Sequence, residues 1–268
     1  MTRTMSLLIA GIATLAAMDN ESSKLAVPSG SPTDPGHGEL GLGLERHRVT
    51  RTFDDSGSAV DRGGDAADTA LGASLTIGVV EGIDVAVGVD YHRLRDEASD
   101  PDSGSGLGDL GLGATFRLAQ GEHWVVGLLP HIELPIHGDP PDDELATSSD
   151  DPTWGVDIAA TWESGAFIGS ATTGFTRNTG DSAEASDGTI WLGAAVGITV
   201  QEWLQPEIDL VYERDLLADD GPGWALIGFI GAQFPTEYWR GSVGLSRTLA
   251  GRLADEDAAL SGSITWLW

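Results

Sequence analysis

The sequence predicts an all-β protein, a transmembrane antiparallel up-and-down β-barrel of twelve strands. Segments in which apolar residues alternate with small or polar ones recur from residue 39 onward, which is the pattern of half-exposed strands. The connections alternate between long acidic loops and short turns, an asymmetry typical of bacterial outer-membrane barrels. The final segment, Leu260 to Trp268, alternates up to an aromatic residue, as a strand reaching a membrane interface does.

Residues 1–17 are expected to form a secretory signal peptide. Arg3 supplies a positive charge, and the run from Ser6 to Ala17 is mostly apolar and ends in small residues. This run is shorter than the roughly 20 residues of a spanning helix, although a buried helix of a cytosolic protein remains the alternative. Residues 18–38 are rich in Ser, Pro and Gly and predict a flexible periplasmic stub. Residues 39–268 are then the barrel.

Twelve segments carry the strand pattern. They are Glu39 to Thr52, Leu71 to Val79, Ile83 to Tyr91, Leu110 to Leu118, Trp124 to Pro135, Trp154 to Trp162, Phe167 to Phe175, Ile190 to Val200, Leu204 to Tyr212, Trp224 to Ala232, Trp239 to Leu249 and Leu260 to Trp268. Their lengths suit tilted strands that cross a bilayer, and seven tryptophans lie near their ends. We expect the last segment to close the barrel against the first.

Six long connections alternate with five short turns. The long ones are Phe53 to Ala67, Glu97 to Ser105, Ile136 to Pro152, Asn178 to Asp187, Asp215 to Gly221 and Gly251 to Asp257. Twelve strands with both ends on the short-turn side produce this order. A soluble acidic β-sandwich or β-solenoid is the alternative, because any half-buried antiparallel sheet alternates.

Composition excludes several classes of function. The formal net charge is −28, from 14 Lys and Arg against 42 Asp and Glu, so the phosphates of nucleic acid would be repelled. The expected partners are outer-membrane lipid and small solutes, and the oligomeric state is left open. Cysteine is absent, which removes disulfides, thiolate metal sites and thiol nucleophiles, and no cofactor or metal is expected.

On the inner face of such a barrel, Gly, Ala, Ser and Thr dominate, with a minority of ionisable residues. The lumen-lining candidates are Asp84, Asp90, His92, Asp109, Arg117, His131, Glu133, Asp157, Glu207, Asp209 and Glu213. Carboxylates around a pore favour cations, whereas a bland lumen in which they pair with arginines is the alternative. Small inward residues predict a narrow aqueous pore, unless loops or the N-terminal stub fill it.

Catalysis is not expected. No serine lies in a nucleophile-elbow motif, and no HExxH motif or clustered histidine set is present. His92 and His131 are expected to face the lumen, and His131 precedes Glu133 on the same face. A histidine beside a carboxylate is usually structural, so no catalytic residue is assigned.

Two consecutive segments resemble a known family. Gly106-Leu107-Gly108-Asp109 opens a strand that resembles the "GLGD" strand of the outer-membrane family named for a MetA-pathway of phenol degradation. The following segment, from Leu129 to Asp139, is similar to that family's leucine-proline strand end and Gly-Asp loop, with His137 where the family has Thr. The resemblance, strongest from Gly106 to Thr161, implies a membrane β-barrel of transporter type. The phenol in the family's name does not imply a substrate.

Two functions follow as hypotheses. The first is a porin-like channel for passive passage of small solutes, with a preference for cations as one version of it. The second is a structural or surface-interaction barrel with a plugged lumen, whose acidic extracellular loops contact partners or cations.

Overall fold

The computed structural model of the protein describes residues 27–99, 102–136, 145–149, 151–179, 188–216 and 222–268. The expected signal peptide, residues 1–17, lies outside these ranges. Twelve strands are present: β1 (Gly38–Phe53), β2 (Ala59–Val80), β3 (Ile83–Asp96), β4 (Ser103–Gln120), β5 (Trp124–Leu134), β6 (Thr153–Ser164), β7 (Phe167–Asn178), β8 (Thr189–Ile198), β9 (Gln205–Asp215), β10 (Trp224–Pro235), β11 (Trp239–Arg252) and β12 (Ala254–Leu267).

Each strand pairs antiparallel with its neighbours in sequence, and β12 closes the barrel against β1. The closing register runs from Glu39 opposite Leu267 to Phe53 opposite Ala254. The predicted strand number, the antiparallel order and the closing pair are confirmed. Closure gives every strand a paired neighbour on each side, which satisfies the backbone hydrogen bonds wherever neighbouring strands run side by side.

Alternation along the strands divides the barrel into an apolar outer face and a polar inner face. In β9, Ile208 is 60 % exposed whereas Asp209 is 0 % exposed. Five exposed tryptophans lie at the short-turn end, as expected where bilayer and water meet: Trp124, Trp162, Trp203, Trp239 and Trp266. The outer face therefore faces lipid.

In the described ranges, no helix is long and apolar enough to span a membrane.

The barrel wall is taller on one side. The contiguous strands β11, β12 and β1 to β4, here called the tall half, have 14 to 22 residues each. The other six, β5 to β10, here called the short half, have 10 to 12 residues each. The extra height of the tall half lies at the long-loop end.

Two of the predicted long loops are wrong, because they are sheet. The predicted loop 53–67 is mostly strand, and only residues 54–58 connect β1 to β2. The predicted loop 251–257 reduces to Leu253, which turns the chain with a φ of 51°. Charged side chains hide these extensions in the sequence, since cross-strand ion pairs replace apolar alternation there. Arg48 with Asp65, at 2.6 Å, is one such pair.

Candidate functional site: the barrel lumen

Residues 27–37 form an extended segment, here called the strap, that follows the inner wall of the barrel. The oxygen of Pro28 accepts from Thr172 Oγ1 of β7 at 2.9 Å. The amide of Gly30 donates to Thr161 Oγ1 of β6 at 3.2 Å, and the amide of Thr33 to Asp84 Oδ2 of β3 at 2.8 Å. Val27 lies beside Gly193 of β8.

The strap ends on β2 at the short-turn end of the barrel. The amide of Gly36 donates to the oxygen of Gly78, and the amide of Gly78 donates to the oxygen of His37, both at 3.1 Å. Residues 18–38 were expected to be a flexible stub, and their described part differs from that expectation. Val27 and Ser29 are 0 % exposed, because the inner wall supplies hydrogen-bond partners along the strap's path.

Glycines of the inner wall make room for the strap. A Cβ on Gly127 of β5 would lie 2.6 Å from the oxygen of Gly30 and 2.9 Å from its Cα. A Cβ on Gly78 would overlap the backbone of Asp34. The two backbones therefore approach directly, a spacing that only glycine permits. Some of the small residues on the inner face therefore contact the backbone of the strap, rather than lining an empty pore.

A second segment, residues 145–149 of the connection between β5 and β6, lies against β4. The amide of Leu145 donates to the oxygen of Ser103 at 2.9 Å, and Thr147 Oγ1 donates to the oxygen of Leu107 at 3.0 Å. A Cβ on Gly104 would overlap the backbone of Leu145. This loop segment narrows the long-loop half of the lumen, as the strap narrows the short-turn half.

Asp109 holds the loop segment. Its carboxylate accepts from the hydroxyl of Ser148, from the amide of Ser149 at 3.0 Å and from the Ser149 hydroxyl at 2.6 Å. Gly106 and Gly108, which precede it, lie under Thr147. In the Gly-Leu-Gly-Asp run that carried the family resemblance, the glycines thus leave room for this segment and the aspartate binds it. The sequence alone did not predict this role.

The candidate residues of the tall half are bound into contacts with protein groups. Asp84 is 2 % exposed and accepts the amides of Thr33 and, at 3.1 Å, of Thr115. His92 Nδ1 lies 2.9 Å from Asp68 Oδ2. Three further candidates complete this side: Asp90, 9 % exposed beneath Gly72; Asp109, described above; and Arg117, 3.3 Å from Glu81 at the short-turn rim.

The candidates of the short half form an acidic inner wall. They are Glu133, Asp157, Glu207, Asp209 and Glu213, with His131 among them. Asp157 accepts from the indole nitrogen of Trp191 at 3.0 Å and lies 3.4 Å from His131 Nδ1. Glu207 accepts from Gln233 Nε2 at 2.9 Å. Strands β5 to β10 contain two arginines, Arg177 and Arg214, and no lysine. Both arginines are exposed, so no Lys or Arg of these strands faces inward.

Cations are concentrated in the tall half. Its strands carry ten arginines: Arg46, Arg48, Arg51, Arg62, Arg93, Arg95, Arg117, Arg240, Arg247 and Arg252. Arg62 binds Asp96 through two nitrogens at 3.0 and 2.7 Å, and Arg51 and Arg247 both reach Glu256. His47 Nδ1 lies 2.6 Å from Asp257. Each of the two alternatives for the lumen therefore describes one region: the short half has an acidic wall, and the tall half has a charge-paired wall.

Sequence reasoning missed an apolar cluster on the inner face. Trp191, Ala195, Val211, Ala225 and Ile227 pack together with Ala254 and with Val27 of the strap, and Phe229 borders them. The cluster residues of β8, β9 and β10 are inward residues of strands whose outward residues are mostly apolar as well, so alternation is weak there. The signal available was a bulky apolar residue at an inward position, such as Trp191 opposite Glu213.

Groups that could support chemistry are sparse. Across the ranges that the structure describes, no group of three or more His, Asp or Glu is placed to hold a metal ion. The ring nitrogens Nδ1 of His47 and His92 lie within hydrogen-bond distance of the carboxylates of Asp257 and Asp68. The densest acidic run, residues 139–144, lies outside the described part of the chain.

Comparison with known proteins supports the architecture. Residues 67–235 match the model of the family described as "Putative MetA-pathway of phenol degradation". An outer membrane channel from Pseudomonas putida F1 superposes with a TM-score of 0.76 at 15 % identity, covering 88 % of this chain and 97 % of that one. No curated protein sequence matches.

Two other solved barrels are more distant. The NanC porin superposes with a TM-score of 0.52 at 10 % identity, over 83 % of this chain and 98 % of that one. The translocator domain of the autotransporter NalP from Neisseria meningitidis gives a TM-score of 0.51 at 12 % identity, over 87 % and 89 % of the two chains. The fold is that of a bacterial outer-membrane barrel, with lipid around its apolar outer face.

Proposed function

The chain belongs to the family described as "Putative MetA-pathway of phenol degradation", and we propose that it is an outer-membrane channel for passive passage of small solutes. The observation that carries the proposal is the inner wall of the short half, where inward carboxylates lie among small and apolar residues behind a closed, lipid-facing sheet. The superposable Pseudomonas putida protein is itself described as an outer membrane channel, which supports the proposal.

In this channel the strap is a fixed part of the wall. Its hydrogen bonds reach β7, β6, β3 and β2 in turn, so it follows the circumference of the barrel. Solutes pass beside the strap at the short-turn end and beside the loop segment at the long-loop end. The lumen is therefore narrower than that of an unobstructed twelve-strand barrel.

Planar-bilayer recording of the folded full-length protein tests the proposal, and discrete conductance steps are expected. A disulfide then tests the strap. Thr161 Oγ1 and Ser29 Oγ lie 3.3 Å apart, so Ser29→Cys with Thr161→Cys places two thiols together in a chain without other cysteines. With a fixed strap, the oxidised and reduced forms conduct within about twofold of each other, since nothing has to move.

A plugged barrel is the second candidate, and the two inserted segments favour it. In that case the wild-type protein is silent, the oxidised pair is silent, and conduction begins only when the strap is displaced. No conduction from correctly folded wild-type protein, checked by its heat-modifiable mobility in a gel, contradicts the channel.

Preference for cations is the finer part of the proposal. Its support is that inward carboxylates of the short half face no inward Lys or Arg on the same strands. We expect the reversal potential in a potassium chloride gradient to lie on the cation side. Glu133→Gln should lower the ratio of potassium to chloride permeability by about half, whereas Glu256→Gln, whose carboxylate is bound to Arg51 and Arg247, should lower it less. Equal permeability of both ions in the wild-type protein contradicts this part alone.

A further inference from the structure

The outer face of the tall half changes from apolar to basic within one row of the sheet. Leu44 of β1, Leu71 of β2 and Tyr91 of β3 lie opposite one another and are 55 %, 57 % and 46 % exposed. The next outward row towards the long-loop end carries Arg46 on β1 and Arg93 on β3, one on either side of β2. The long loops of outer-membrane barrels lie outside the cell, so these arginines directly follow the apolar band that contacts the outer leaflet.

Arg46 and Arg93, here called the interfacial arginine pair, are both exposed. Neither makes a hydrogen bond or an ion pair with any residue that the structure describes. Thr69, which lies between them on β2, and Ser105, opposite Arg93 on β4, are small and uncharged. Neighbouring strands lie roughly 4.8 Å apart, so the two arginines are about 10 Å apart across β2, and their long side chains can reach one ligand from both sides.

The arginines one row further out already have partners. Arg48 lies 2.6 Å from Asp65, and Arg95 lies 3.0 Å from Glu97. The row of the interfacial arginine pair, in contrast, contains no Asp or Glu on β1 to β4. In a chain of formal net charge −28, two exposed and unpaired arginines at the edge of the lipid-facing band form a local positive site.

The position of the interfacial arginine pair determines which anion fits it. An anion bound there lies beside the exposed side chains of Leu44 and Leu71, which only an apolar group can cover favourably. The planar guanidinium group donates two parallel hydrogen bonds to the oxygens of one phosphate. A phosphate carried by a lipid therefore meets both surfaces at once, with its charge at the arginines and its acyl chains on the leucines.

We propose that the interfacial arginine pair binds the phosphate group of an outer-leaflet lipid, with the acyl chains of that lipid on the row of Leu44, Leu71 and Tyr91. The site lies on the outer face of β1 to β3, so it does not depend on passage through the lumen. A lipid bound there fixes the height at which the tall half emerges from the outer leaflet.

Native mass spectrometry of the folded full-length protein, released from an uncharged detergent, tests the site by titration. The probes are diphosphoryl lipid A, the same lipid after removal of its phosphates, and inorganic pyrophosphate. EDTA is present throughout, so that no divalent cation bridges a carboxylate to a phosphate. We expect diphosphoryl lipid A to bind at least about tenfold more tightly than either of the others, because only it offers phosphate and acyl chains together.

Single substitutions assign the contribution of each arginine. Arg46→Gln and Arg93→Gln should each weaken binding of diphosphoryl lipid A about fivefold, the factor that one basic residue near an anionic lipid contributes. Arg46→Lys keeps the charge and should therefore lose less than Arg46→Gln. Heat-modifiable mobility in a gel shows that each variant is folded.

Arg177→Gln is the matched control in the short half. Arg177 is also exposed at the long-loop end and has no hydrogen bond or ion pair with a described residue. It lies opposite Trp154, and β7 is nearly across the barrel from β1 to β3. Screening by salt over that separation should keep its effect on the affinity below about twofold.

Equal losses in Arg46→Gln and Arg177→Gln overturn the inference, since attraction of the lipid to any exposed arginine would explain them. Equal affinity for pyrophosphate and diphosphoryl lipid A overturns it as well, because the acyl chains then contribute nothing. The same spectra report the oligomeric state. A dimer that persists without lipid and dissociates in Arg46→Gln assigns this surface to a second copy of the chain instead.

Discussion

The tall and short halves of the barrel share the same alternating strand pattern, but they differ in how their charged side chains are paired. In the tall half, arginines and histidines bind the carboxylates, as in Arg62 with Asp96 and His47 with Asp257. In the short half, inward carboxylates lie among small and apolar residues without an inward Lys or Arg. The tall half pairs many of its charged groups with one another and rises higher at the long-loop end, whereas the short half leaves its carboxylates directed at the lumen without such partners.

The ion pairs of the tall half account for its extra height, whereas the strap is anchored mainly on the short half. Ion pairs extend β1 and β2 where apolar alternation has ended, which makes a charged collar at the long-loop end. The strap, in contrast, is anchored mainly along β8 to β5 before it crosses to β3 and β2. Variants that act in one half and not in the other therefore test whether the division is real.

The largest expected effect comes from adding a side chain where the backbone of the strap contacts a glycine of the wall. Gly127→Val places a side chain where the backbone of Gly30 lies, so the strap or the wall must move. Overpacking of this kind costs about 1–3 kcal/mol of unfolding free energy. Urea titration of the folded protein in detergent, followed by tryptophan fluorescence, measures the change through the midpoint and slope.

Gly43→Val is the matched control in the tall half. Gly43 is also a strand glycine, but the nearest heavy atom to its added Cβ, the oxygen of Gly262, is 4.0 Å away. Valine suits a strand better than glycine does, so no loss of stability is expected there. Equal destabilisation by the two variants would show that the strap does not occupy the seat at Gly127.

A smaller effect is expected from the ion pairs of the tall half. The side chains of Arg62 and Asp96 are 12 % and 16 % exposed, and Arg62→Ala leaves a half-buried carboxylate without its two-nitrogen partner. We expect a loss of about 1–2 kcal/mol in unfolding free energy by the same urea titration. Arg48→Ala, which removes an exposed pair with Asp65, should change the midpoint by no more than the error of the measurement.

The opposite ranking of Arg62→Ala and Arg48→Ala would contradict the view that partly buried pairs hold the collar. A double-mutant cycle with Asp96→Ala isolates the pairwise free energy of Arg62 and Asp96. Additive losses in that cycle would assign the effect to packing of the arginine stem instead.

Much of this architecture is readable from the sequence, because lipid on one side imposes strict alternation. The twelve strands and their closure follow from that pattern in segments such as Ile83 to Tyr91. The collar could not be read in the same way, since residues such as Asp61 and Arg62 in β2 carry charges that are typical of loops. Their pairing partners lie on other strands, at separations that a single sequence does not reveal.

The inserted segments were hidden for a different physical reason. A glycine that seats a backbone, such as Gly127, looks the same in sequence as a glycine that lines water. The strap itself contains Pro28 and Gly30, residues typical of a flexible linker, although its order comes from partners on the wall such as Thr161 and Asp84. Inward positions were predictable from periodicity, but what fills the space between them depends on contacts across the lumen.

The smallest expected effect lies in the turn that caps the tall half. The Asp54 carboxylate accepts the amides of Ser56 and Ser58, each at 2.9 Å, and the Ser56 hydroxyl at 2.6 Å. The hydrogen bond from the Ser56 side chain, followed by those from the backbone, lowers the pKa of Asp54 from its ordinary value of 3.8. The charged form is favoured by folding, so the turn is stabilised above the ordinary pKa, and that stabilisation is lost as pH falls through the lowered one. Titration of the Asp54 carboxyl carbon by NMR should show this depression, and Ser56→Ala should move the pKa back toward 3.8. An unchanged pKa in that variant would assign the depression to the backbone amides alone.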